Sequence, residues 1–126
     1  MKVKVSTIAF SKNEYLVKCL LKEFPDAEVN AEGVRLNGQA LVDYFHNIEG
    51  AIVGLELITP SILDQLPELK IISKYGVGLD NINLNACKER NVQIGWTGGV
   101  NKRSVTEMTL GFMLMLSRNL FTTSNK

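Results

Sequence analysis

Two glycines, Gly76 and Gly78, stand one residue apart between an apolar run and a helix-like pattern. Glycine has no Cβ, so a turn of this kind can expose its backbone N–H groups. After a strand of an open α/β sheet, such a turn lies at the edge where ligands bind. A small anion, such as a carboxylate, suits these N–H groups. The spacing is also typical of a tight turn without a ligand, and the local pattern alone favours that plainer interpretation.

Few other residues have the chemistry of a catalytic group. His46 is the only histidine, and it falls in a predicted helix far from the glycine turn, which favours a surface histidine over a catalyst. Cys19 and Cys87 lie outside any metal-ligand spacing and are predicted to be reduced thiols of a cytoplasmic protein. Glu107 and Arg118 are explained by helix capping and by charge near a helix end. We therefore predict no catalytic residue and no metal site in this chain.

The composition limits the classes of protein to which the chain can belong. Its 126 residues suffice for one domain with a hydrophobic core. The 14 Lys and Arg residues nearly balance the 13 Asp and Glu residues without a basic stripe, so nucleic acid is not a predicted partner. No apolar run is long enough to span a membrane, and the N-terminus lacks a signal-peptide pattern.

Strand-like and helix-like segments alternate along the chain, which predicts an α/β fold with a parallel sheet and helices on both faces. Ser11 and Ser104 each open a capping-box pattern, and Thr59 precedes a proline at a predicted helix start. Asn83 is a predicted cap, and Asn91 is predicted to take a left-handed conformation at a helix end. The predicted strands are residues 3–10, 27–30, 48–54, 69–73 and 92–96. The residues of the first helix predicted to face the core are Tyr15, Leu16, Cys19, Leu20 and Phe24.

The last predicted helix begins at Ser104, extends to about Leu120 and is apolar around its whole circumference over residues 112–116. A helix on the surface of a domain should have a polar face. Either this domain buries the helix, or one side packs on a second domain or another subunit. The second interpretation is favoured, because a helix at the end of a small domain is rarely covered on all sides.

Several fragments occur in a fixed order and spacing. They are Leu69-Lys70-Ile71-Ile72-Ser73, Gly76-Val77-Gly78-Leu79-Asp80-Asn81-Ile82, Ala86-Cys87-Lys88-Glu89-Arg90, Thr97-Gly98-Gly99-Val100-Asn101 and Ser104-Val105-Thr106-Glu107. Together they resemble the D-isomer-specific 2-hydroxyacid dehydrogenases, the family that includes phosphoglycerate dehydrogenase. Residues 51–54 and 63–70 also fall where this family has a strand and a helix, so the resemblance covers nearly the whole chain.

The resemblance implies a flavodoxin-like, doubly wound parallel sheet of five strands, in a single domain with a protruding C-terminal helix. In the family, amides of the glycine turn hold the carboxylate of a 2-hydroxy or 2-keto acid, a role that falls here to Val77 and Gly78. The side chain of Val77 would also lie near the nicotinamide of NAD. The substrate-binding residues implied in this way are Leu55, Glu56, Gly76, Val77, Gly78 and Asn101.

The resemblance also implies how the chain is divided. Residues 1–103 would form the substrate-binding domain, and residues 104–126 an interface helix and a frayed tail. The family's nucleotide-binding domain, which supplies the catalytic arginine, carboxylate and histidine, is missing from this sequence. Asn81 stands where a Gly-x-Gly-x-x-Gly turn would need its third glycine. NAD is therefore expected in the complete enzyme but not on this chain, which would be truncated and inactive alone.

The sequence departs from the family pattern at the substrate loops. Phosphoglycerate dehydrogenases commonly have an arginine where this chain has Glu56, and a carboxylate would repel a phosphorylated substrate. Trp96-Thr97-Gly98-Gly99 replaces the usual Asn-Thr-Pro-Gly, which predicts a looser loop and added bulk.

Another class of function stays open. The chain could be a stand-alone module that binds a small carboxylate or that associates with itself or another chain through residues 112–116. A phosphoacceptor regulator is disfavoured because residues 9–12 carry no carboxylate, and a flavin site because Ser11 alone is too little for a phosphate loop.

Overall fold

The computed structural model describes residues 1–124, which form a parallel five-stranded sheet in the order β2-β1-β3-β4-β5 with helices between the strands. This is the strand order of doubly wound, flavodoxin-like sheets, so the predicted fold class is confirmed. The strands are β1 (Val3–Val5), β2 (Glu28–Val29), β3 (Gly50–Val53), β4 (Ile71–Lys74) and β5 (Gln93–Gly95). The helices are α1 (Ile8–Ser11), α2 (Glu14–Glu23), α3 (Gly38–Tyr44), α4 (Pro60–Asp64), α5 (Leu84–Glu89), α6 (Lys102–Ser117) and α7 (Leu120–Ser124).

The centre of the sheet is β3, which pairs in parallel with β1 on one side and β4 on the other. Its residues are apolar and almost wholly buried because both faces of a parallel sheet are covered. Val53 and Ile72 are fully buried, and each contributes roughly 1.5–3 kcal/mol through burial. The main core continues into α3, α4 and α5, and its largest side chains are Leu41, Phe45, Ile48 and Ile72.

A smaller apolar cluster consists of Val3, Val5 and Leu20, with half-buried side chains around them. The first helix was predicted to bury a wide stripe, but Tyr15 and Cys19 are exposed and Leu20 alone is buried on α2. Because this cluster is small, it covers only a narrow stripe of the helix.

The predicted first strand, residues 3–10, is wrong beyond β1. Residues 8–11 form the short helix α1 instead. Strands β2 and β3 offer register partners only to residues 3–5 of β1. The backbone after Ser6 therefore forms local bonds, such as Ser11 N–H to the Thr7 carbonyl at 3.1 Å.

Helix starts were predicted with mixed success. Thr59 caps α4 and Asn83 caps α5, each accepting an N–H bond, and Asn91 has the left-handed φ of 55°. Both capping boxes are wrong. Asn13, not Ser11, caps α2, because the Ser11 hydroxyl bonds the Thr7 carbonyl and accepts the Asn30 N–H.

By internal contacts the chain divides into two compact units, Met1–Trp96 and a second that begins at Thr97. In the second unit, α6 begins at Lys102 and not at Ser104, and Glu107 pairs with Arg103 at 2.9 Å. Asn119, at φ 51°, separates α6 from α7, so the last predicted helix ends at Ser117 and not near Leu120. Within residues 1–124, α6 has no buried residue, and no helix is long and apolar enough to cross a membrane.

Candidate functional site

The glycine turn begins where β4 ends, beside the carboxyl end of β3. The N–H of Tyr75 still donates to the Val53 carbonyl at 2.7 Å, which extends the pairing of the two strands by one bond. The chain then turns at Gly76, whose φ of +141° is strained for any residue with a Cβ. Gly76 is thus required by backbone conformation, as the sequence predicts for a residue that shapes the turn.

Gly78 lies close to the side chain of Asp80, which is exposed and could move aside for a Cβ. A Cβ at this position would lie 2.8 Å from the Asp80 Oδ1 atom. Within residues 1–124, the N–H groups of Gly76, Val77 and Gly78 make no hydrogen bond. Val77 is also exposed, so the turn presents donors to solvent. Backbone donors without a protein acceptor are what an anion site at a sheet edge needs.

Trp96 supports the turn from β5. Its indole Nε1 donates to the Val77 carbonyl at 3.0 Å. Since a Trp indole can only donate, this bond holds the carbonyl side of the peptide between Val77 and Gly78 and leaves the N–H of that peptide, which belongs to Gly78, without a bond. The sequence predicts bulk from Trp96 near a cleft; the structure adds a specific contact.

Lys74 and Asn81 join the glycine turn to the loop after β3. Lys74 Nζ donates to the Gly54 carbonyl and, at 2.7 Å, to Asn81 Oδ1. Asn81 Nδ2 in turn donates to the carbonyls of Gly54 and Glu56, at 3.0 and 2.7 Å. Neighbouring backbone bonds between Ile58 and residues 81 and 83 continue this pairing. The two loops are therefore held together by side-chain and backbone bonds alike.

The ammonium of Lys74 lies beside the turn, because a Cβ on Gly76 would be 3.9 Å from Lys74 Nζ. Partial burial lowers the pKa of Lys74, and the nearby charges of Asp80 and Glu56 act against that change. A lysine side chain therefore lies next to the glycine turn, with the carboxylates of Asp80 and Glu56 near it.

Leu55 and Glu56 form the loop after β3, as predicted for the substrate pocket. Leu55 is 89% exposed, and the Glu56 carboxylate accepts the Gly54 N–H at 2.6 Å. Gly54 itself is packed closely: a Cβ there would lie 2.8 Å from Thr7 Oγ1. The loop is thus closely packed at Gly54 and exposed to solvent at Leu55.

A cavity of about 390 Å³ lies beside this loop. Its walls are residues 7–9, 35–37 and 54–56 together with Tyr75. Arg35 is the residue that sequence reasoning missed, because it lies in a loop with no motif. No local signal in residues 31–37 indicates that this loop reaches the edge of the sheet.

Five of the six predicted substrate-binding residues, those at positions 55, 56, 76, 77 and 78, belong to the two loops that follow β3 and β4. Asn101 belongs to the second unit and precedes α6, where its side chain makes no capping bond. His46 is exposed in the turn after α3 and does not line the cavity. Within residues 1–124, no group of three or more His, Cys, Asp or Glu side chains could hold a metal ion.

The parallel sheet with ligand-facing loops at its carboxyl edge places the chain in the doubly wound α/β class. The chain belongs to the D-isomer specific 2-hydroxyacid dehydrogenases, since the model of that family's catalytic domain matches residues 7–125. The resemblance seen in the sequence is therefore confirmed.

Relatives of known name agree with this assignment. The chain is similar to a hydroxypyruvate reductase of Thermotoga maritima, with 36% identity over 63 residues that make up 50% of this chain and 21% of that protein. It is 26% identical over 110 residues to the D-3-phosphoglycerate dehydrogenase of Rattus norvegicus, covering 86% of this chain and 21% of that protein. The chain thus spans about a fifth of the length of these relatives.

A solved structure gives the same likeness in three dimensions. The NAD⁺-bound 3-phosphoglycerate dehydrogenase of Entamoeba histolytica superposes with a TM-score of 0.67 at 28% identity. The match covers 91% of this chain and 38% of that one.

Proposed function

We propose that this chain is the substrate-binding part of an NAD-dependent D-2-hydroxyacid dehydrogenase. Its glycine turn holds the carboxylate of a small 2-hydroxy or 2-keto acid on the N–H groups of Val77 and Gly78. The observation that carries the proposal is the set of three consecutive N–H groups without an acceptor among residues 1–124, beside the ammonium of Lys74.

The physical basis is electrostatic. Hydrogen bonds from N–H groups to a carboxylate are charge-assisted and stronger than bonds between neutral groups. The Trp96 bond to the Val77 carbonyl orients that peptide, so its donor need not be reorganised when the acid arrives. Family membership supports the same role for the turn.

The turn does not suit the phosphates of a dinucleotide. A phosphate-binding glycine turn opens directly into a helix, but α5 begins at Leu84, six residues after Gly78. Asn81 occupies the place of the third glycine, and its amide is already bonded to two carbonyls. Only the exposed Val77 side chain is proposed to approach the cofactor, so residues outside this sequence would hold NAD.

The same proposal includes the absence of turnover by these 126 residues. Hydride transfer from a hydroxy acid needs a group that takes the hydroxyl proton. His46, the only histidine, is exposed after α3 and lines no part of the cavity. A cytoplasmic location, predicted from the two thiols Cys19 and Cys87, belongs to this proposal as well.

The experiment is an NMR titration of the chain with pyruvate, with D-lactate and separately with NADH. We expect saturable shifts of the Gly76, Val77 and Gly78 amides with the acids and little response to NADH. Gly76→Ala should abolish the response because its φ is strained for alanine, whereas Gly111→Ala, an open helical position, should keep it. An unchanged spectrum with both acids would refute the proposal.

A second candidate is an interaction module that associates with itself through α6. The observation that favours it is exposure: Phe112 is 57% and Leu116 is 82% exposed, although both are large and apolar. Exposed apolar side chains in one segment are typical of a surface that another chain or domain covers.

A further inference from the structure

We infer that the cavity beside the glycine turn takes the far end of the bound acid, and that Arg35 binds a terminal carboxylate there. The preferred substrates would then be 2-keto or 2-hydroxy acids with a second carboxylate. This inference rests on the proposed function, since the first carboxylate is taken to lie on Val77 and Gly78.

The position of the cavity fits a ligand that reaches beyond the turn. Tyr75 lines the cavity and directly precedes Gly76 in the chain, so the cavity wall and the glycine turn are joined at this residue. Phe10 packs edge-on against the Tyr75 ring, with 5.6 Å between ring centroids. The volume of about 390 Å³ lies within the range of small-molecule sites.

The walls suit a short methylene chain that ends in a charge. Ile8, Ala9 and Leu36 are apolar and would contact the methylene groups. Arg35 and Glu56 are the charged residues among the lining residues. Whether the cavity favours a negative or a positive ligand group therefore depends on the partners that these two side chains already have in the protein.

Glu56 has a hydrogen-bond partner in the protein, whereas Arg35 has none within residues 1–124. The Glu56 carboxylate accepts the Gly54 N–H at 2.6 Å and lies close enough to Lys74 to affect its titration. Arg35 makes no ion pair and no side-chain hydrogen bond with any residue of the described range 1–124. Arg35 is thus the charged lining residue without a protein partner in that range, and a guanidinium binds a carboxylate well through its paired donors.

The backbone before Arg35 is anchored. Asn30 is buried, and its Nδ2 donates to the Val34 carbonyl at 2.7 Å and to the Ser6 carbonyl at 2.8 Å. The Val34 N–H donates back to Asn30 Oδ1 at 3.3 Å. The residue before Arg35 is therefore tied to the end of β1, and Arg35 itself lines the cavity.

A terminal carboxylate is favoured over a phosphate because Glu56 also lines the cavity. A phosphate near pH 7 carries more negative charge than a carboxylate and is repelled more strongly by Glu56. The Arg35 guanidinium can bind either group, so the two must be compared by experiment.

The test compares three acids by NMR titration of the 126-residue chain. They are 2-oxoglutarate, 2-oxohexanoate, whose chain has similar length but ends in a methyl group, and 3-phosphoglycerate. We expect 2-oxoglutarate to bind about tenfold more tightly than the other two. In Arg35→Gln the advantage over 2-oxohexanoate should disappear, while 2-oxohexanoate itself binds as before.

The matched control is Lys18→Gln, which removes the same charge from an exposed position on α2 outside the cavity. It should leave the preference unchanged. Equal affinity for 2-oxoglutarate and 2-oxohexanoate, or a preference that survives Arg35→Gln, would overturn the role of Arg35 and leave the proposed function intact. Tighter binding of 3-phosphoglycerate would overturn the choice of a carboxylate. If no acid shifted the Val77 and Gly78 amides, both proposals would fail.

Discussion

Asn81 joins the two loops of the candidate site through a single amide group. Its side chain donates to the carbonyls of Gly54 and Glu56 and accepts from Lys74. Asn81→Ala would remove these three bonds and leave the Glu56 carbonyl without its partner, so we expect a loss of about 1–3 kcal/mol in the free energy of unfolding. Denaturant unfolding followed by circular dichroism measures this change.

The control for this substitution is Asn85→Ala. Asn85 is exposed on α5, and its side chain makes no hydrogen bond within residues 1–124. It should change the stability by no more than about 0.5 kcal/mol. Equal effects of the two substitutions would show that the bonds of Asn81 do not hold the loops.

Tyr44 gives a pH dependence of stability at the end of β1. Its hydroxyl donates to the Val5 carbonyl at 3.0 Å, and burial, with the charge of Glu28, raises the pKa of Tyr44 from 10.0 to about 12. A raised pKa means that the folded chain keeps this proton when the unfolded chain has lost it. The stability from Tyr44 is therefore full below pH 10 and is lost as the pH rises through about 12.

Tyr44→Phe tests this sign. Between pH 10 and about 12, the free energy of unfolding should fall more steeply in the wild type than in Tyr44→Phe. The absorbance titration of folded Tyr44→Phe should also lack the phenolate component that the wild type shows near pH 12. Parallel stability curves for the two proteins would contradict the prediction.

At the scale of elements, α6 has large apolar side chains that stay exposed in its own unit. Met113 is 61% and Met115 is 39% exposed. If this surface mediates self-association, Met113→Lys together with Met115→Lys should give a folded monomer, because two charges oppose burial in an apolar interface. Analytical ultracentrifugation of both proteins measures the change of mass.

The charge-matched control places the lysines at Ser104 and Thr106, outside the apolar residues 112–116. This protein should associate as the wild type does. Unfolding of the Met113→Lys, Met115→Lys protein would instead show that the helix is part of a core, and a monomeric wild type would remove the self-association proposal.

Elements whose ends depend on local chemistry were predictable. Thr59 and Asn83 cap α4 and α5, and each accepts a bond from the N–H three residues ahead. Because both partners are neighbours in the chain, such caps can be predicted from the sequence. The prediction of Ser11 as a cap was wrong because its hydroxyl accepts the N–H of Asn30, which is 19 residues away. Short-range patterns contain no information about such a partner.

The residues of the candidate site also differ in whether the sequence could predict them. Gly76 and Gly78 were predicted through the family resemblance, because their spacing alone favours a tight turn without a ligand. Arg35 was not, since its position depends on Asn30 and on the end of β1. The bond from Trp96 to Val77 also spans 19 residues, so the support of the turn was invisible before the fold was known.

At the scale of the whole molecule, we expect binding without turnover. The 126-residue chain, mixed with NADH and a 2-keto acid, should consume no NADH above the blank, because His46, the only histidine of the sequence, does not line the cavity beside the substrate loops. Absorbance of NADH measures this, with a complete family member as positive control. Turnover that Gly76→Ala abolishes would show that the chain carries a catalytic group of its own.

The parallel bridge between Ile58 and Ile82 has a consequence for protein engineering. Ile58 N–H donates to the Asn81 carbonyl, and Asn83 N–H donates to the Ile58 carbonyl, so the loops after β3 and β4 behave as one cassette. A library that varies residues 55–57 alone would combine an altered loop after β3 with an unchanged segment 76–82 that pairs with the original loop. Recombination between homologous enzymes should exchange both segments together, with the exchange points placed inside β3 and α5.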